Sequence, residues 1–222
     1  MANIKSFIFN DLMERSYLIW DETGECVIVD PGFSDKYQKE SLTGFIQTNG
    51  LTPVKVLLTH GHFDHTLGLR ETVRIYNIPV MMHPDDRETL ENVGYFRMLF
   101  GADIPDTYTQ TTDIHDGDTI EFGNSVFEVI ATPGHTPGGV CYLDRKNRIL
   151  LSGDTLFAGS IGRTDHPAGD YDKLMESIFT KLMVLDGDIN VYPGHGHDTT
   201  IADERMKNPF LLPFNMPEEE SE

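Results

Sequence analysis

The chain has 222 residues, 39% of them apolar and 24% charged, and a formal net charge of −19. That balance suits one soluble globular domain with a sizeable core. The acidity argues against nucleic acid, which needs a basic footprint, and no run nears the ~18 apolar residues that span a bilayer. In chain order, Ile4–Phe9, Ser16–Trp20 and Cys26–Val29 read as strands, the last two joined by the turn Asp21–Glu25. The beginning lacks a basic stretch followed by a long apolar one, so no secretory signal is expected. Residues 35–49 suit a helix with Ser34 as N-cap and Gly50 past its end. Val54–Leu58 reads as a buried strand, and Leu67–Tyr76 as a helix. Pro79–Met82 is a further strand that ends at His83, which reads as a structural strand-end residue. Asp85–Asn92 looks helical.

Residues 94–112 show no clear period; Tyr95, Phe96, Met98, Leu99 and Phe100 suit either the core or a lid over a site. From Ile114 the pattern changes to strands and turns: Thr119–Phe122, Ser125–Thr132, Gly138–Leu143 and Arg148–Leu151. His115 precedes a turn and is expected to be exposed. Asp172–Leu185 reads as a helix, Ile189–Tyr192 as a strand and Ile201–Asn208 as the last helix. The acidic end, residues 217–222, is expected to be disordered, leaving 1–216 as one domain. Cys26 and Cys141 are far apart and are expected as reduced core thiols of a cytoplasmic protein.

The most concentrated chemistry lies between the strand at Val54–Leu58 and the following helix, in Thr59-His60-Gly61-His62-Phe63-Asp64-His65. Three of the chain's nine histidines and a carboxylate fall within six positions there. Neutral imidazole and carboxylate bind zinc, and imidazole also suits iron. Three more strands run into polar loops: Thr132–Gly138 with His135, Ser152–Thr155 with Asp154, and Tyr192–His197 with His195. Pro-Gly-His alone is a common turn. With the first motif, these loops supply ligands enough for two ions, which can share a water, lower its pKa and clamp a substrate oxygen. Asp30, at a strand end before Pro31-Gly32, suits a turn residue and equally a carboxylate that orients a ligand histidine from behind.

His-x-His-x-Asp-His, then Pro-Gly-His-Thr, Gly-Asp-Thr-Leu-Phe and Pro-Gly-His-Gly, in this order, resemble the metallo-β-lactamase superfamily, and Val29-Asp30-Pro31-Gly32 is similar to its early motif. The stretch from Gly153 to Asp165 resembles the hydroxyacylglutathione hydrolase (glyoxalase II) group. The resemblance runs from about Ile4 to Leu211 and implies an α/β fold, a four-layer αββα sandwich with metals at one edge of the sheets. Carried over by motif, it implies one metal on His60, His62 and His135 and a second on Asp64, His65 and His195. Asp154 would bridge the two, with a hydroxide shared between the metals as nucleophile. Asp64 and Asp154 thereby acquire catalytic roles, and Asp30 becomes the favoured orienting carboxylate. Two divalent ions are expected, zinc foremost, with iron or a mixed pair as alternatives.

The sequence departs from the larger glyoxalase II enzymes. The chain stops soon after Asn208, too early for their C-terminal helical region. A lysine of their loop corresponds to Arg163, which can still hold a substrate carboxylate, while two tyrosines correspond to Asp165 and His197. The resemblance is therefore to the short, single-domain glyoxalase II-like group. It implies a metal-dependent hydrolase of small thioesters of the hydroxyacylglutathione type. A mononuclear-iron persulfide dioxygenase on His60, His135 and Asp154, or a lactonase, is the alternative enzyme, and a metal-binding module without turnover the non-enzymatic one. The expected partner is a small-molecule thioester, with neither nucleic acid nor membrane; oligomeric state is left open.

Overall fold

In the computed structural model, residues 2–92, Met98 and residues 107–212 are described. Most of the segment 94–112 and the whole acidic end, on which two expectations fell, lie outside them. The chain folds into two six-stranded sheets. The first runs in spatial order β1 (Asn3–Phe9), β2 (Glu14–Trp20), β3 (Glu25–Val29), β4 (Thr52–Leu57), β5 (Val80–Met82) and β6 (Thr112–Asp113). β1, β2 and β3 pair antiparallel, and β3 to β6 pair parallel. The second is ordered β14 (Thr199–Thr200), β13 (Asn190–Pro193), β10 (Ile149–Gly153), β9 (Val140–Asp144), β8 (Ser125–Ala131) and β7 (Thr119–Phe122), with β10 and β13 parallel. A two-stranded ribbon, β11 (Leu156–Phe157) and β12 (Ser160–Ile161), follows β10.

Strand periodicity sorts the apolar side chains into layers. Tyr17, Ile19, Val27, Val29 and Leu57 point inward and meet Phe127, Val129, Val140, Tyr142, Ile149 and Leu151 of the second sheet. Their neighbours Leu18, Cys26 and Ile28 point outward, against Leu42 and Ile46 of helix α1 (Lys36–Thr48). Val56 and Leu58 pack with Leu69 of α3 (Leu69–Tyr76) and Leu90 of α4 (Arg87–Glu91). On the far side, Cys141, Leu143, Leu150 and Val191 meet Leu174 and Met175 of α5 (Tyr171–Ser177) and Ile201 of α6 (Ile201–Lys207). Helices thus cover both outer faces, giving the four layers expected. Each fully buried Leu or Ile contributes about 1.5–3 kcal/mol over exposure.

Local differences from the expected elements have identifiable causes. Asp35, not Ser34, caps α1: its extended backbone lets the carboxylate accept from the Tyr37 and Gln38 amides, while Ser34 turns to Gln38. A short helix, α2 (Phe63–Thr66), carries Asp64 and His65, and the chain breaks at Leu67–Gly68 before α3. Gly68 donates to Pro31 O and lies against the Phe33 ring, so its contact with the β3 loop interrupts the helical run. The helix expected to Leu185 ends at Ser177 and continues as a π turn, Ile178–Leu182. β6, β11, β12 and β14 have two residues each, too few to show a period in sequence. Cys26 and Cys141 are buried free thiols on the outer faces of different sheets. Among the described residues, no helix is long and apolar enough to cross a membrane.

Candidate metal centre

The C-terminal ends of β3, β4, β8, β10 and β13 all reach one edge of the sandwich, because β3 runs parallel to β4 and β10 parallel to β13. Loops leaving these strands bring together all seven side chains singled out in the sequence. His60 and His62 stand on the loop after β4, Asp64 and His65 on α2, His135 after β8, Asp154 after β10 and His195 after β13. One ligand atom each from His60, His62 and His135 falls in one group within 4.8 Å, and one each from Asp64, His65 and His195 in another. Asp154 lies between them: Oδ1 is 3.4 Å from His65 Nε2, and Oδ2 is 3.5 Å from His135 Nε2 and 3.6 Å from His195 Nε2.

The back of the site decides which nitrogen of each ring faces inward. Asp30 sits at φ 47, and its Oδ1 accepts the Thr59 amide at 2.7 Å. Its Oδ2 takes the Thr59 hydroxyl at 2.5 Å and His65 Nδ1 at 3.0 Å. The single hydroxyl proton of Thr59 is spent on Asp30, so Thr59 Oγ1 accepts from His60 Nδ1, 3.0 Å away. His135 Nδ1 donates to Arg163 O at 2.7 Å, and His195 Nδ1 to Leu12 O at 3.1 Å. In neutral rings those bonds place the protons outside and leave the Nε2 lone pairs of His60, His65, His135 and His195 turned inward. Asp30 is close enough to form a third ligand-like group with His60 and His65, but its two oxygens already accept three hydrogen bonds.

That arrangement fits metal ions by its own chemistry. His62 Nδ1 lies 3.1 Å from His60 Nε2 and 3.0 Å from His135 Nε2, and the two inward nitrogens of His65 and His195 are 3.3 Å apart. One proton on His62 serves only one of its two contacts, leaving lone pair against lone pair at the other. Asp154 Oδ1 is buried and, among the described residues, makes no hydrogen bond of normal geometry, its nearest nitrogen being His65 Nε2 at 3.4 Å; an unmet buried charged acceptor costs about 1–3 kcal/mol or more. A cation in each ligand group would answer both deficits.

Burial, reinforced by the charges of His65 and His62, holds His60 well below the usual imidazole range. Burial and the His135 charge lower His62 to about 3. For His65, burial again works to lower the ring, but the Asp154 and Asp64 carboxylates outweigh it and raise it well above its ordinary value.

Other contacts hold the loops together and were missed in the sequence. Asp86, buried before α4, accepts from the Gly61 amide at 2.6 Å, the Gly138 amide at 2.8 Å and the Thr136 hydroxyl at 3.0 Å. It thereby clamps the His60–His62 loop to the His135 loop. Gly194 has to be glycine, because a Cβ there would collide with Asp154 Oδ1 and with His65 Cε1. No short motif announces Asp86, since its three partners come from two distant segments. Glu14 is wholly buried behind His65, 4.0 Å from its Nδ1, and burial raises its carboxyl well above the usual range.

Arg163 reaches the site through its backbone carbonyl, whereas its guanidinium forks onto Asp165 at 2.8 and 3.1 Å and is 77% exposed. His83 accepts the Asp85 amide, and His115 and His197 are exposed. None of these three joins a ligand group. One further imidazole, His166, does approach, with its ring centroid 5.1 Å from those of His62 and His135. It lines, with His62, a cleft of about 240 Å³. The cleft's other walls are Asp85, Glu88, Thr89 and Asn92 on one side and Pro137, Pro167 and Ala168 on the other.

Two stacked mixed sheets between helices, with a His- and Asp-rich cluster at the strand ends, define a class of metal-dependent hydrolases. Residues 10–195 match the metallo-beta-lactamase superfamily, and the chain belongs to it. It is 34% identical to hydroxyacylglutathione hydrolase GloC of Haemophilus influenzae, covering 94% of this chain and 98% of that one. Among solved structures it is similar to BLEG-1 B3 metallo-beta-lactamase, at 35% identity and a TM-score of 0.87 over 94% of this chain and 99% of that one. It also resembles TTHA1623 in a di-iron-bound form, at 36% identity and a TM-score of 0.84 over 93% of this chain and all (100%) of that one.

Proposed function

We propose that the protein is a hydrolase of small thioesters of the hydroxyacylglutathione type, in the short glyoxalase II-like group, acting with two divalent ions. The observation that carries this reading is Asp154, a nearly buried carboxylate set between two ligand groups, with an oxygen that makes no hydrogen bond of normal geometry among the described residues. The similarity to GloC supports the choice of substrate. In this reading His60, His62 and His135 would hold one ion and Asp64, His65 and His195 the other, with Asp154 serving both. Bound ions supply Lewis acidity, which lowers the pKa of water and polarises a carbonyl.

The protein's own part is orientation. Asp30 fixes the ring of His65 directly and that of His60 through Thr59. The Arg163 and Leu12 carbonyls fix His135 and His195, and Asp86 keeps two ligand loops in register. A thiolate is a good leaving group, so thioester cleavage needs no acid from the protein. Arg163, through its guanidinium, is the proposed anchor for a substrate carboxylate.

The test is metal analysis of the purified protein with S-lactoylglutathione turnover in an anaerobic cuvette. The expected result is two ions per chain and release of free thiol by zinc-loaded enzyme without oxygen. Zinc-loaded enzyme inert on thioesters, with iron-loaded enzyme consuming oxygen in the presence of glutathione persulfide, would replace this reading with the dioxygenase. Turnover of lactones or β-lactams in place of thioesters would move the substrate class within the same fold.

A further inference from the structure

His166 is the imidazole at this edge that the two ligand groups do not use. Its ring stands edge-on to both His62 and His135, with interplanar angles of 77° and 83°. Its Nε2 is buried and has no hydrogen-bond partner among the described residues. The backbone of Arg163, which receives His135 Nδ1, also hydrogen-bonds the His166 ring. Since Nε2 is unpartnered, that bond falls to Nδ1, which places the ring proton there and leaves Nε2 a lone-pair acceptor. His166 therefore hangs beside His135 from the same residue. It forms one wall of the cleft that opens at His62.

Packing alone does not call for a histidine here. A phenyl ring would make the same edge contacts with His62 and His135 and leave no buried acceptor unmet. The cleft supplies the missing partner. The cleft opens at His62, a member of one ligand group, so a carbonyl held between the groups has the substituent on its neighbouring carbon, two bonds away, within reach of the cleft. The χ2 torsion of an imidazole is soft, so a small turn of His166 presents Nε2 to that substituent. We propose that His166 is a specificity residue that accepts, through Nε2, a hydrogen bond from a donor on the acyl carbon next to the reacting carbonyl, a hydroxyl above all. The proposal rests on the thioester hydrolase reading and adds to it the residue that distinguishes a hydroxyacyl group from a plain acyl group.

The experiment compares zinc-loaded enzyme on S-(D-lactoyl)glutathione and S-propionylglutathione, which differ in the one hydroxyl. The wild type is expected to favour the lactoyl ester by about tenfold or more in kcat/KM, because a site built to bind a hydroxyl penalises its loss. His166→Phe is expected to collapse that ratio with both ions retained, and His166→Gln, which restores an acceptor, to recover most of it. An unchanged ratio in His166→Phe overturns the proposal. So does loss of a metal ion from that variant, which would make His166 a ligand. If the wild type cleaves neither ester, the hydrolase reading fails separately. His166 is then judged by its ¹⁵N ring resonances in the zinc-loaded protein. A shift with D-lactate and none with propionate upholds hydroxyl recognition; no difference between the two overturns it.

Discussion

Asp21 and Asp154 stand at strand ends on opposite edges of the same sandwich, and both are nearly closed to water. Asp21 is 3% exposed and the Asp154 side chain 11%. Their surroundings differ in kind. Asp21 accepts from the Thr23 amide and hydroxyl at 2.9 and 2.6 Å, the Asn124 amide at 2.6 Å and the Ser125 hydroxyl at 2.8 Å. Those bonds tie the β2–β3 turn of one sheet to the β7–β8 turn of the other. Asp154 has imidazole nitrogens around it and an oxygen without a hydrogen bond. A saturated buried carboxylate is finished architecture, whereas an unsaturated one among converging lone pairs waits for a ligand.

The strongest way to break this comparison is to remove each carboxylate in turn. Asp154→Asn is expected to lower kcat/KM on the thioester by about 10³-fold or more, the range for losing a group that acts on the transition state. It should also abolish the gain in Tm that metal loading gives the wild type. Asp21→Asn should leave that metal-dependent gain in place. If both variants keep it, Asp154 is not a metal ligand.

Asp64→Ala sharpens the picture inside the site, since Asp64 belongs to one ligand group whereas Asp154 lies between two. Occupancy should fall to about one ion per chain while the fold survives, with kcat/KM down about 10²-fold. Metal analysis that still finds two tightly bound ions would count against the assignment.

Asp21→Ala strands four donor groups at the far edge. It is expected to cost about 3 kcal/mol, roughly 6–12 °C in Tm, with kcat per bound metal within about twofold of wild type. Calorimetry beside a thioester assay separates the two effects.

A milder version of the same test uses pH. Burial works to raise the Asp21 carboxyl, but the bonds from Thr23, Ser125 and Asn124 outweigh it and hold it at about 2, against an ordinary 3.8. A folded-state value below the unfolded one means that the unfolded chain takes up the proton first. The stabilisation is complete above pH ~4 and is lost as pH falls toward about 2, amounting to up to about 2 kcal/mol. Urea unfolding between pH 5 and 2 should show this loss in the wild type and not in Asp21→Asn.

The smallest effect is expected at Arg163. Its guanidinium is exposed and forked onto Asp165, while the carbonyl that orients His135 survives mutation. Arg163→Ala should raise KM about threefold with kcat within twofold, as for a group that binds ground and transition states alike. A collapsed kcat with unchanged KM would show that the side chain supports the ligand loop instead.

The sequence by itself determined the strand and helix alternation and the seven candidate ligand positions. Strand periodicity follows from the pleat, and ligand chemistry is carried by residue type: His-x-His-x-Asp-His is legible because its members are neighbours in the chain. It also marked Asp30, by spacing alone as turn residue or orienting carboxylate and by resemblance as the favoured orienting carboxylate. Tertiary structure joined the two readings by placing Thr59 and His65 against the one carboxylate at a left-handed backbone position. Only the fold decided the roles of Asp86, Gly194 and His166, whose partners come from segments 25 to 52 residues away in the case of Asp86. It also gave Arg163 a second part that the sequence did not show, a carbonyl that holds His135. A hydrogen bond between distant loops depends on where parallel strands happen to end together. The register within one sheet follows its apolar pattern, but which loops of the two sheets end side by side is set by how the sheets pack, and no local pattern of residues encodes that.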